Sequence, residues 1–242
     1  MREANAFNSG QAADRRKHEL TCGKLGMCPW FVLGIVLAAY PSPRSDWLII
    51  PGHRAGPITP QTTHAELLRI FGTDNVTDEG PEDVGEGDFE RVTIVNKSRP
   101  ETSALILWTD GDASKPIAAI RFCYLGTVAC LWHTAEGVIR GMPLKTLEKL
   151  NGRPFTLAGF DWDYSGTITS SNGGQLSGLR RGCGSLILRL ALTRPKASKR
   201  ELWSKLEDQV QGDREFSSAH PAMQTLNPRV EDIEMDFSEC AR

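Results

Sequence analysis

The chain has 242 residues, enough for one sizeable hydrophobic core or two small ones. Hydrophobic residues make up 40% of it and charged residues 24%, a composition that excludes global disorder. The formal net charge is −2 and no basic face with interleaved aromatics is present, which argues against a nucleic-acid partner.

Residues 1–44 read as a leader and linker. A polar stretch carrying Arg15-Arg16-Lys17 and Lys24 precedes the apolar run Trp30–Tyr40, and Pro41-Ser42-Pro43 follows it. A basic region, a short apolar core and small residues at its end form the pattern of a secretory signal peptide. The run is short for a membrane span, which needs about 20 apolar residues. Met27 is an alternative start, an uncleaved leader acting as anchor is a second variant, and burial within the domain is a third. Membrane contact is expected only through such a leader.

Trp47–Gly52 is a short apolar strand closed by a turn. A helix follows at 64–71. Thr63 and Glu66 have the spacing of a capping box, Leu67, Leu68, Ile70 and Phe71 supply its apolar side, and Gly72 stops it. Residues 74–90 hold eight acidic side chains, no basic one, and the breakers Gly80, Pro81, Gly85 and Gly87; the expectation there is a loop. Strands resume at Arg91–Val95, Ala104–Trp108 and Ile117–Phe122, separated by turn residues, as an antiparallel meander.

The plan then repeats. Pro143 opens a second helix, Leu144, Leu147 and Leu150 form its apolar stripe, and Asn151-Gly152 ends it. Strands are expected at Phe155–Phe160, Tyr164–Thr169 and Ser185–Leu192, with Asn172-Gly173-Gly174 as a hairpin turn. A third helix at 199–210 would place Leu202, Leu206 and Val210 on one face, behind a Ser198–Glu201 capping box. Val230–Phe237 is the last strand and 238–242 a tail. The fold class is therefore α+β: one domain over 45–237, built of two helix-plus-antiparallel-meander units (about 47–130 and 131–237) that share a core, with an additional C-terminal helix and strand.

The repeated unit, Gly56-Pro57-Ile58 to Gly72 and Gly137-Val138-Ile139 to Gly152, resembles the helix-plus-sheet repeats of the β-lactamase inhibitor protein family and of the small outer-membrane assembly lipoproteins. The likeness is strongest from Gly137 through Gly141-Met142 to Leu150-Asn151-Gly152. More broadly, residues 47–237 resemble a group of uncharacterised exported bacterial proteins. The segments that carry this are Asn75-Val76, Gly85–Asp88, Asn151–Phe155, Gly159–Gly166 and Leu226-Asn227-Pro228. These resemblances imply export and the fold, and no reaction.

Gly159-Phe160-Asp161-Trp162-Asp163-Tyr164-Ser165-Gly166 is the most distinctive local run. Strand alternation would put Phe160, Trp162 and Tyr164 on a core face and Asp161 and Asp163 in solvent. The functional alternative uses Trp162 and Tyr164 as a stacking platform and the two aspartates as general acid and base. Glu86 and Asp88 in the acidic stretch suit a basic partner, and their spacing does not match a calcium loop. Cys123 and Cys130 flank a turn at Leu125-Gly126 and are placed to form a disulfide in an oxidising compartment, with buried thiols the alternative. Cys130 and His133 form only one metal-type pair where structural zinc uses two, so no metal site is expected. There is no Gly-x-Ser-x-Gly elbow and no phosphate loop, hence no catalytic residue and no cofactor is expected.

The functional expectation is an exported cell-envelope protein, a non-enzymatic protein-binding or inhibitor-like module whose partner is another envelope or secreted protein. Binding is placed at Asp161, Trp162, Asp163, Tyr164, Glu86 and Asp88. The alternatives are a hydrolase of envelope polymers using Asp161 and Asp163, and a purely structural envelope component.

Overall fold

The computed structural model of the chain describes residues 46–85, 88–126, 129–193 and 200–241. The expected leader, residues 1–44, lies outside them, as do Glu86 and Ser198. In chain order the elements are β1 Leu48–Ile50, β2 Arg54–Ala55, α1 His64–Phe71, β3 Val76–Gly85, β4 Asp88–Val95, β5 Ala104–Trp108, β6 Ile117–Phe122 and β7 His133–Thr134. They continue with α2 Leu144–Asn151, β8 Thr156–Ala158, β9 Ile168–Ser170, β10 Arg180–Arg181, β11 Gly184–Ala191, α3 Arg200–Glu207, β12 Glu215–Ser217, α4 Pro221–Leu226 and β13 Arg229–Asp236. The class is α+β.

A seven-stranded antiparallel sheet in the order β10-β11-β13-β6-β5-β4-β3 is the frame, with two three-stranded sheets, β2-β1-β7 and β12-β8-β9, beside it. The register makes the core visible. Thr93, Ile106, Ile120, Met235 and Leu186 are aligned across five strands, and because paired residues share a face they form one inward row. Leu67 of α1 and Leu144 and Leu147 of α2 are fully buried in the same cluster, so both helices press their apolar stripes into one core. Each such leucine contributes about 1.5–3 kcal/mol. The two units do share a core.

Their helix ends differ. The Thr63–Glu66 capping box of α1 is formed in both directions. Gly152 after α2 is left-handed (φ 78°, ψ 0°), whereas Gly72 has positive φ with an extended ψ of 148° and turns the chain straight into the next segment. The first unit continues as the expected meander, β3 to β6. The strands of the second unit divide: β8 and β9 pair with β12, while β11 and β13 join the long sheet through the β13–β6 ladder.

Three expectations are corrected. The acidic stretch 74–90 is not a loop but the greater part of a hairpin, β3 against β4. Its Val76–Glu79 segment pairs with the aliphatic Val92–Val95, and that partner outweighs weak intrinsic strand preference. The breakers Gly80 and Pro81 fall inside a register shift between Glu79 and Glu82, where a bulge tolerates them. The run 161–165 is a turn and not a strand, because Asp161 has φ 66° and ends the extended backbone after Phe160. In α3, Leu202 is 62% exposed; Trp203 and Leu206, with Val210 beyond the helix, face the core instead.

The last strand is as read, with Ile233, Met235 and Phe237 buried on one side. Helix α4 has no counterpart among the sequence expectations. Pro221 begins it, the His220 side chain accepts from the Ala222 N–H, and Asn227 ends it in the left-handed conformation. Among the described residues no helix is long and apolar enough to cross a membrane.

Candidate functional site

β11 alternates cleanly: Leu186, Leu188 and Leu190 are buried while Ser185, Ile187 and Arg189 lie on the other face. On one side it is fully laddered to β13. On the other, the β10 hairpin pairs only with Gly184 and Ser185, and β9 meets β11 only at the Thr167–Arg189 bridge. The Leu190 N–H donates to Gly166 C=O at 2.9 Å beside that bridge, which fixes the direction of the backbone. Backbone groups alternate sides along a strand, so those of Leu186 and Leu188 also face β9. With β10 opposite Gly184 and Ser185 and Thr167 opposite Arg189, only Leu186–Leu188 of this edge have no strand residue opposite them among the described residues. The third sheet likewise ends at β9.

β9 and the Leu186–Leu188 stretch of β11, bounded by the Thr167–Arg189 bridge at one end and by β10 at the other, flank a groove of about 540 Å³. Its apolar lining comes from Ile168, Leu176, Leu179, Leu186 and Leu188, with Ile187 from the other face of β11. Serines and threonines fill much of the remainder, with Arg189 and Asp236 as lining charges. The Thr167 hydroxyl, at the bridged end, is buried and lacks a hydrogen-bond partner.

The floor is held from below by Asn151, the residue that reads in sequence as a helix stop. Its side chain is 1% exposed. Oδ1 accepts from the Leu176 N–H at 3.0 Å, and Nδ2 donates to Ser171 C=O at 3.0 Å and Arg153 C=O at 2.8 Å. Gly174 is packed so closely that a Cβ there would lie 2.2 Å from Asn151 Oδ1. At the bridged end, a Cβ on Gly166 would lie 1.9 Å from Leu190 O, so only glycine permits the contact that joins the sheets.

Of the residues singled out in sequence, Tyr164 lines this groove and is 48% exposed. Trp162 rests against it with ring centroids 5.3 Å apart and donates from Nε1 to Gly159 C=O at 2.9 Å. Asp161 and Asp163 are exposed on the same turn and do not line the groove. Asp88 opens β4, on the hairpin at the far edge of the long sheet, so the structure does not bring it together with the 161–164 turn.

Cys123 and Cys130 form the expected disulfide. A thiolate is thus absent at Cys130, which removes the Cys130–His133 metal pair, and among the described residues no group of three potential ligands could hold a metal ion. His133 Nδ1 lies 2.9 Å from Leu131 O. A second disulfide, Cys183–Cys240, ties the turn before β11 to the C-terminal segment. The sequence marks it only through the even number of cysteines beyond the leader.

A second cavity, about 300 Å³, lies by β3 and β4. Beside it Trp108 Nε1 donates to Thr93 Oγ1 at 2.9 Å, the Thr93 hydroxyl donates to Asp78 Oδ1 at 2.7 Å, and His64 Nε2 is 2.9 Å from the same oxygen. Asp78 stands between the histidine and the hydroxyl, so the imidazole cannot take the proton of Thr93. The chain fastens α1 to the hairpin and is not a nucleophile with its base.

Compared with known proteins, the chain matches no family model, no curated protein and no solved structure.

Proposed function

We propose that the protein is a non-enzymatic binding module that takes a polypeptide segment of an envelope or secreted partner into the groove between β9 and β11. One observation carries this reading: between the β10 pairing and the Thr167–Arg189 bridge, a short stretch of β11 edge faces β9 across an apolar-floored groove that Tyr164 lines, with Trp162 stacked on Tyr164. Unpaired edges bind extended peptide through the main chain, and aromatic residues supply contact area at low entropic cost. An inhibitor-like role belongs to the same class. Export is part of the proposal; two disulfides support an oxidising compartment. Nothing specific favours the hydrolase alternative, since Asp161 and Asp163 point the chemistry to an open turn outside the groove.

The test compares the full chain with Ser177→Trp, a bulky side chain at an exposed lining position, as bait for envelope proteins, with mass spectrometry as readout. A partner retained by the natural chain and lost by the variant supports the reading. A partner retained equally by both, or glycan or peptide hydrolysis abolished by Asp161→Asn and Asp163→Asn, overturns it.

A further inference from the structure

The β11 edge leaves room for one partner residue. Even-numbered residues of β11 turn their backbone groups toward β10 and β9, the direction fixed by the Leu190 N–H to Gly166 C=O bond. In the β10 hairpin Arg181 and Gly184 are then the hydrogen-bonded pair, and the adjoining Arg180–Ser185 pair directs Leu186 N–H at Leu179 C=O. At the other end the Thr167–Arg189 bridge is of the non-hydrogen-bonded kind and directs Ile168 N–H at Leu188 C=O. Among the described residues this leaves the Leu186 C=O and the Leu188 N–H, on the same side of the strand. The nearby Thr167 hydroxyl is buried and lacks a partner. Arg189 and Asp236 flank the stretch on one face, since Asp236 is opposite Ser185, about 14 Å along β11 from Arg189 at about 3.4 Å per residue.

Resting on the binding reading above, we infer that the occupant is the tip of a protruding loop of the partner, held through one extended residue. That residue lies opposite Ile187 in the parallel sense: its N–H donates to Leu186 C=O and its C=O accepts from Leu188 N–H. A chain cannot run on past β10 or past the Thr167–Arg189 bridge, so both legs of the loop leave on the side where Tyr164 and Ser170 are exposed. Paired residues share a face, so the central side chain points the way of Ile187, toward the hydroxyls of Thr167 and Thr169, and is polar. Its two neighbours point to the other face, onto Leu176 and Leu179, and are apolar. The leg before the tip passes Asp236 and is basic; the leg after it passes Arg189 and is acidic. Recognition thus reads an apolar–polar–apolar tip between two legs of opposite charge.

The experiment uses the full chain and cyclic peptides that carry a Leu-Thr-Leu tip between a lysine leg and a glutamate leg. Amide-to-ester replacement deletes one peptide N–H at a time, and a second series exchanges the two legs. Binding is followed by fluorescence anisotropy and amide exchange of the protein by NMR. The ester at the central threonine should weaken binding at least about tenfold, equivalent to about 1.4 kcal/mol, while esters at either leucine change it less than about twofold. Exchanging the legs should also cost about tenfold. In the free protein the Leu186 amide should exchange slowly and the Leu188 amide fast, and only Leu188 should slow on binding. Loss at two or more tip esters, or new protection along β11 beyond Leu188, means pairing over a longer edge and overturns the single-residue contact. Binding that ignores every ester, or that protects residues outside the groove, overturns main-chain recognition at this stretch. Binding by no cyclic peptide overturns the loop tip as well; the bait comparison then decides the broader reading separately. Thr167→Val gives a second readout, since it should weaken the threonine tip and leave a valine tip unaffected; should it fail to fold, the ester series on the natural chain still decides.

Discussion

Removing the Cys183–Cys240 disulfide should destabilise the protein more than any other change that leaves its native contacts almost intact. The bond joins residues 57 apart in sequence. Cross-linking a ring of that size takes about 4 kcal/mol of loop entropy out of the unfolded chain, against about 2.5 kcal/mol for the seven-residue separation of Cys123–Cys130. At about 2–4 °C per kcal/mol for a domain of this size, Cys183→Ala with Cys240→Ala should lower Tm by about 8–16 °C. Cys183 is exposed and Cys240 half-buried, so neither alanine opens a cavity, whereas Cys123 is fully buried and its replacement would add a packing cost. Because the effect acts on the unfolded ensemble, near-ultraviolet dichroism at 25 °C and peptide binding should be unchanged. The assay is urea and thermal unfolding of both double variants, with alkylation and mass spectrometry under graded reductant to show that the exposed bond opens first. A loss below about 1 kcal/mol, or a native spectrum altered before unfolding begins, would refute the unfolded-state reasoning.

Two further outcomes follow from single side chains. Asn151→Ala orphans the buried Leu176 N–H, while the carbonyls of Ser171 and Arg153 can turn to water, so at about 1–3 kcal/mol per unmet buried group it should cost about 1–3 kcal/mol in urea unfolding, with faster amide exchange at Leu176. Burial, then the nearby carboxylates of Glu79 and Glu82, push the Tyr124 phenol up to about 12, so absorbance titration should show a phenol that ionises well above the ordinary value near 10. The sign is set by the unfolded value near 10: the raised folded pKa gives stability that is complete below about pH 10 and is lost as pH climbs toward 12. Tyr124→Phe should therefore flatten the alkaline limb of the stability curve, and an unchanged limb would count against the burial.

Much of the scaffold was written locally and could be read. Thr63 with Glu66, the leucine stripe of α2, the alternation of Ile233, Met235 and Phe237, and the nearly continuous apolar run of β5 each encode their own element through capping or periodicity. The misreadings came where a distant partner decided the outcome. The acidic composition around Asp78 and Glu79 predicts solvated loop, and it is pairing with Val92 and Thr93 that makes it a strand. The alternation Phe160, Trp162, Tyr164 predicts a strand face, and the left-handed Asp161 cancels it, a backbone choice that aspartate permits without announcing. Leu202 and Trp203 compete for one helix face, and only the position of the neighbouring elements selects the larger ring.

The candidate site was legible at one residue, Tyr164, and the reason is geometric. A groove between strand edges is defined by backbone groups that stop pairing, and unpaired backbone has no residue type of its own. Leu186 and Leu188 would present the same letters in a closed sheet. What the sequence does carry is the pair of glycines that fix the shape: Gly166, where any side chain would strike Leu190 O, and Gly174, where it would strike Asn151. The first joins the sheets at one point and the second seats the turn that keeps Leu176 in the floor, so together they open a wedge and hold it open.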